Sequence, residues 1–256
     1  MTQSASEPRS GDHYSYAHYA NERTARTFDD LRFGGPIGSL VASSQAKTLS
    51  DFVGRIQHRR ILDVGTGTGR AALLFARGGA RVTAVDASPQ MLEVARARAD
   101  EQGIRSITFG VGDAHALEFA SRSFDVVCCL RVLMHTPRWR AVVAELCRVA
   151  DQLVIVDYPS ATSVALVESV ARRAAHAVGV RTEAYRVFTH RTIADALARN
   201  GFRVRSVHRQ FVLPIALHKA IGSRSFTQRS ETVLDRLGLL KPFGSPVSLV
   251  AERCAS

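Results

Sequence analysis

Ile61-Leu62-Asp63-Val64-Gly65-Thr66-Gly67-Thr68-Gly69-Arg70 sets the architecture expected of the chain around it. A short apolar run carrying one acid stops at a glycine, three glycines alternate with threonines, and a helical pattern follows. Arg60 to Val64 reads as a buried strand, because aliphatic and β-branched residues run together and end at glycine. Gly65 and Gly67 permit backbone angles closed to other residues and leave the turn bare, so that a ligand can lie against main chain. Gly69 lets the next helix, about Arg70 to Arg77, pack close to the strand. The first N–H groups of that helix point into the turn.

A strand, a glycine turn and a helix occur in nicotinamide and flavin folds as well, so the spacing has to discriminate. The dinucleotide fingerprint G-x-G-x-x-G places its third glycine three residues after the second. Here the glycines stand at 65, 67 and 69, and Arg70 occupies the dinucleotide position. Arg81-Val82-Thr83-Ala84-Val85-Asp86 then reads as a second strand ending in an acid, 21 residues after Gly65. A carboxylate at that place can accept both hydroxyls of an adenosine ribose.

With these residues in view, the chain resembles the class I S-adenosylmethionine-dependent methyltransferases, and more narrowly the group containing the ubiquinone and menaquinone C-methyltransferases (methyltransferase type 11). The matching stretches are Ile61–Arg70, Val82–Leu92, Val111–Glu118, Phe124–Pro137 and Leu146–Val149. The resemblance implies S-adenosyl-L-methionine as cofactor and S-adenosyl-L-homocysteine as product. Its candidate cofactor contacts are Asp63, Gly65, Thr66, Gly67, Asp86, Ala87, Met91, Asp113, Ala114, Leu130 and Arg131. In that family the acid at the place of Asp113 accepts from the adenine amino group, and the N–H at the place of Ala114 meets a ring nitrogen. Met91 lies where relatives lay an apolar side chain on adenine, although core packing explains it equally well. The resemblance also implies a Rossmann-like, doubly wound sheet of seven strands, mostly parallel with an antiparallel last strand, and helices on both faces.

The remaining chain alternates strand and helix, as a doubly wound α/β domain should. Helices are expected at about 37–53, from Pro89 to Gln102 behind a Ser88 cap, from Trp139 to Val149, from Ser160 to Val178, and at 191–200 between Thr189 and Gly201. Strands are expected at 106–110, 124–130, 152–158, 202–212 and 245–253. The sequence supports one domain over 1–256, with a disordered stretch at 1–12 and an N-terminal helical lid at 13–56. Segments 180–190 and 213–244 are read as covers of an acceptor site. Tyr14, Tyr16 and Tyr19 either pack on the core or reach the cofactor.

Carboxyl ends of strands in open α/β sheets face the ligand crevice. Arg131-Val132-Leu133-Met134-His135-Thr136-Pro137 follows the fourth strand and should border the transferred methyl group. His135, Tyr185 and His190 are the catalytic candidates, with Glu183 as a further ionisable group. For His135 a loop-holding role competes with that of a base or acceptor-orienting group.

The formal net charge is +11, and all but three of the 34 basic residues are arginine, spread along the chain rather than gathered in one stripe. This disfavours nucleic acid as the partner and leaves a small-molecule methyl acceptor. The four cysteines form neither a zinc spacing nor a disulfide framework, so no metal is expected. No run reaches the roughly 18 apolar residues of a membrane span, and the polar N-terminus lacks a signal core, which reads as cytoplasmic. After the fourth strand the chain has no Asn/Asp-Pro-Pro-Tyr/Phe, the mark of enzymes acting on exocyclic amines of nucleobases, and it holds no Pro-Cys pair. The reaction expected is transfer to an oxygen or activated carbon of a quinone, phenol, polyketide or lipid-like molecule. The alternatives are a nucleic-acid or protein methyltransferase and a non-catalytic protein that binds S-adenosylmethionine. The oligomeric state is left open.

Overall fold

A computed structural model of the chain describes residues 32–163, 165 and 185–255. The expectations for 1–12, for Tyr14, Tyr16 and Tyr19, for nearly all of the helix after Ser160, and for Glu183 lie outside the described residues.

The elements follow in the order α1 (Gly35–Val53), β1 (Arg60–Val64), α2 (Arg70–Arg77), β2 (Arg81–Asp86), α3 (Pro89–Glu101), β3 (Ile107–Val111) and β4 (Phe124–Cys129). They continue with α4 (Trp139–Val149), β5 (Ala150–Tyr158), α5 (His190–Arg199), β6 (Phe202–Phe211), α6 (Ile215–Ile221), α7 (Arg224–Arg236), α8 (Leu240–Phe243) and β7 (Ser245–Arg253). One seven-stranded sheet runs in the order β3-β2-β1-β4-β5-β7-β6. β1 to β5 pair in parallel, and β7 inserts antiparallel between β5 and β6. The strand order reverses between β1 and β4, and that is where such sheets open a crevice.

Strand alternation supplies two cores. Leu62, Val64, Val127, Cys129, Val154 and Val156 face Val142, Val143 and Leu146 of α4 and Ile193 and Leu197 of α5. Their neighbours Ile61, Val126, Cys128 and Ile155 face Leu49, Phe52 and Val53 of α1 and Ala72 and Phe75 of α2. Central strands covered on both sides read as unbroken apolar runs for this reason.

Several boundaries differ from the sequence expectation. β5 starts at Ala150, directly after α4, so the pair Ala150-Asp151 read as a loop is already strand. β3 begins at Ile107 and takes in Val111 through its register with Asp86. α5 begins at His190, because the Thr189 side chain accepts from the Thr192 N–H and closes the first turn.

Candidate functional site

The turn after β1 is held by its own neighbours. Gly65 N–H and Thr66 N–H both donate to the Val85 carbonyl, at 2.8 and 3.0 Å, which locks the turn onto the end of β2. Gly65, Gly67 and Gly69 all take positive φ, at 68, 54 and 82°. A Cβ on Gly65 would lie 2.3 Å from Val132 Cγ2, whereas one on Gly67 would meet no protein atom within 4 Å. Gly65 is thus glycine for packing, and Gly67 leaves open space above the turn.

Asp63 sits beneath this turn, 2 % exposed. Its Oδ2 accepts from Thr66 Oγ1 at 2.6 Å and from Ala72 N–H at 3.1 Å, tying strand, turn and helix together. Burial pushes its carboxyl up to about 6, against the stabilising hydrogen bonds from Thr66 and Ala72. Asp86 closes the other side. Its Oδ2 accepts from Gly67 N–H at 2.8 Å and its Oδ1 from Ser88 N–H at 2.9 Å, so both oxygens have fixed positions. Burial raises its pKa, and those N–H groups oppose the rise. An ionised carboxylate has about four lone-pair sites, so each oxygen can still accept from a ligand hydroxyl.

A cleft opens over these groups at the carboxyl ends of the strands. Of the expected cofactor contacts, Asp63, Gly65, Thr66, Gly67, Asp86, Ala87, Met91, Ala114, Leu130 and Arg131 line it. Asp113 does not. Its Oδ1 accepts from His115 N–H at 2.9 Å and lies 2.7 Å from His115 Nδ1, and His115 is among the residues that line the cleft. Ser88, Arg32, Phe33 and Thr136 also line the cleft. The Arg70 guanidinium stacks over the Phe33 ring at 3.6 Å and brings the N-terminal segment against the turn. Ser88, Arg70 and Thr136 adjoin motifs visible in the sequence. Phe33 lies about thirty residues away, and only the packed fold brings it in.

The segment after β4 forms the remaining wall. Arg131 adopts φ 63°, a left-handed angle that costs a non-glycine residue about 1–2 kcal/mol. Its N–H donates to Oδ1 of Asp157, an acid only 1 % exposed at the end of β5. Burial raises the Asp157 pKa, opposed by the Arg131 guanidinium and N–H. Leu133–His135 make one short 3-10 turn, and His135 lines the cleft with its side chain largely buried. The Arg186 N–H donates to the Met134 carbonyl at 2.9 Å, strapping the chain after residue 184 to this wall. Tyr185 stands with its ring centroid 6.3 Å from that of His135, behind the lining rather than in it. His190 is elsewhere. Its Nδ1 lies 3.1 Å from the Tyr158 hydroxyl, outside the lining, and burial followed by the Arg209 charge lowers its pKa. Among the described residues, none of 213–244 lines the cleft.

Residues 61–152 match the family described as a methyltransferase domain. A Bacillus subtilis protein named "uncharacterized methyltransferase YcgJ" is 38 % identical over 98 residues, 38 % of this chain and 38 % of its own length. A ubiquinone biosynthesis O-methyltransferase of Methylocella silvestris is 45 % identical over 76 residues, 30 % of this chain and 29 % of its own length. The chain therefore matches less than half the length of these curated relatives. In three dimensions it is similar to magnesium protoporphyrin IX methyltransferase of Synechocystis with bound SAH. That likeness has a TM-score of 0.59 at 21 % identity and covers 84 % of this chain and 82 % of that one. At such identity it shows a shared fold.

Proposed function

We propose that this chain, whose residues 61–152 carry a methyltransferase domain, transfers the methyl group of S-adenosyl-L-methionine to an oxygen or activated carbon of a small organic molecule. The observation that carries the reading is the pairing of Asp86 with the glycine turn. A carboxylate with both oxygens fixed faces a bare backbone, and Arg70 stands where a dinucleotide site needs glycine. Bound cofactor would supply a sulfonium methyl already activated for in-line displacement. Asp86 would accept from the ribose hydroxyls, with Gly65 and Gly67 admitting the ligand against main chain. Ala114 and Met91 are assigned to the adenine. Asp113 stands outside the lining with its Oδ1 held by His115. Phe33 and Val132 supply apolar walls that keep water from the reacting atoms. His135 is assigned to the acceptor, holding or removing its proton if it starts protonated. Tyr185 supports the His135 ring, and His190 drops behind both as a candidate.

Alignment and exclusion of water are what the chain contributes, and orientation alone can lower a barrier by ~7–11 kcal/mol in favourable cases. The acceptor is assigned to small molecules because the wall after β4 reads Leu130-Arg131-Val132-Leu133 rather than Asn/Asp-Pro-Pro-Tyr/Phe. The test is calorimetry with S-adenosylmethionine, S-adenosylhomocysteine and NADH, then a panel of quinones, phenols and polyketides with labelled methyl donor. Binding of NADH without S-adenosylmethionine would overturn the cofactor. Transfer to RNA or protein with none to the panel would overturn the acceptor class.

A further inference from the structure

Nine large apolar side chains are exposed among the described residues, and seven of them fall between Ile215 and Phe243. The polar side chains of His218, Thr227 and Glu231 turn inward there, while apolar ones are left at the surface among polar neighbours. The one side chain of α7 that is fully buried is polar, Thr227, and its Oγ1 lies 3.0 Å from Nδ1 of the fully buried His218 on α6. Glu231, one turn further along α7, also points inward. It accepts from the N–H groups of Val212 and Leu213 at 2.7 and 3.0 Å and meets His218 Nε2 at 2.9 Å. Val233 and Leu237 stand outward, 53 and 68 % exposed, and Phe226 is left 39 % exposed although its ring centroid lies 6.1 Å from that of His218. Their spacing of seven and four residues puts them on one stripe of the helix. Leu217 and Ile221, one turn apart, extend the apolar surface onto α6.

The exposed charge on these helices has one dominant sign. Arg224, Arg229, Arg236 and Lys241 are exposed, and Asp235 is the single exposed acid on α6 to α8. We propose that the α6–α8 face docks on an anionic lipid surface, the apolar stripe entering the headgroup boundary and the arginines meeting lipid phosphates. A second copy of the chain is the weaker occupant, because an isologous contact would bring this positive patch against itself. The contact is peripheral, since no helix among the described residues is long and apolar enough to cross a membrane. The face is joined to the cleft: Lys219 of α6 donates from Nζ to the carbonyl of Arg32, which lines it. Resting on the proposed function, this arrangement would suit an acceptor carried in lipid.

The test is co-sedimentation with vesicles of phosphatidylcholine alone and with added phosphatidylglycerol, at low and raised salt. Wild type should bind the anionic vesicles and lose them as salt rises. Arg229→Gln with Arg236→Gln should weaken binding ~25-fold, from about fivefold per basic residue near the surface. Val233→Ser with Leu237→Ser should weaken it on the order of tenfold or more, through apolar area no longer buried. Both positions are exposed, so the fold should survive, as circular dichroism can check. Absence of binding to anionic vesicles at low salt overturns the proposal. So does undiminished binding by the serine variant, or self-association in light scattering that this variant abolishes while vesicles are ignored. S-adenosylmethionine binding measured on the same samples separates the two readings. Cofactor binding without vesicle binding removes only the lipid face, and vesicle binding without cofactor removes only the cofactor site.

Discussion

Replacing Gly65 by alanine asks whether the turn after β1 is held by packing. Two costs can be worked from the geometry. The residue has φ 68°, and a left-handed angle costs a non-glycine residue about 1–2 kcal/mol. The new Cβ would lie 2.3 Å from Val132 Cγ2, so one of the two walls must shift, and forced overpacking costs about 1–3 kcal/mol. Gly65→Ala should therefore lose about 2–5 kcal/mol, a large part of a typical ~5–15 kcal/mol stability. Val132→Ala removes the offending methyl. The next atom, Val132 Cβ, is 3.7 Å from the built position, an ordinary contact. The double variant should recover the overlap cost while keeping the backbone cost. A double-mutant cycle by urea denaturation should then show favourable coupling of about 1–3 kcal/mol. Additivity within about 0.5 kcal/mol would refute the reasoning, because it would mean that the two walls of the cleft do not meet at Gly65.

Other outcomes follow from the same site. Asp86→Ala should weaken S-adenosylmethionine binding about tenfold or more in calorimetry, since a hydrogen bond to a charged group is worth ~1.5–3 kcal/mol; unchanged affinity would move the ribose elsewhere. Gly67→Val should lose about 1–2 kcal/mol or somewhat more to its left-handed φ of 54°, stay folded and bind no cofactor, because its Cβ meets no protein atom within 4 Å and enters the cleft instead; normal cofactor binding would leave the turn with a structural role alone. His135→Asn should lower kcat by ~10²–10⁴ if the ring acts on the acceptor proton, with cofactor affinity little changed; an equal loss of affinity and melting temperature would make it a loop support. Asp63 has a carboxyl raised to about 6 from 3.8, so its ionisation opposes folding. Relative to Asp63→Asn, wild type should lose about 3 kcal/mol as pH climbs from about 4 to about 6, with a flat difference below that window. A difference in denaturation midpoint that does not vary with pH would contradict the burial of this acid.

The central part of the fold was legible in the sequence because its signals are local. Residues 60–64 and 81–86 form strands over the expected spans, since apolar runs bounded by glycine or acid need no distant partner to be recognised. The three glycines and Asp86 carry their meaning in spacing along one crossover, and Ser88-Pro89 opens α3 as a cap and first turn should. The reversed last strand came from resemblance, as no local pattern distinguishes a parallel from an antiparallel buried strand. What the tertiary structure alone decided concerns side chains whose partners are far off in the chain. His190 turns to Tyr158, and Asp157 holds the strained Arg131 from the neighbouring strand; Asp113, by contrast, turns to His115 only two residues on. Phe33 reaches the cleft by stacking under Arg70. Residues 213–244, read as a cover, place Thr227 and Glu231 inward and leave Val233 and Leu237 exposed. Composition and periodicity show that a helix has two faces. Which of them turns inward depends on the hydrogen bonds waiting there, and His218 and the backbone at Val212 and Leu213 supply those only once β6 and the helices have packed together.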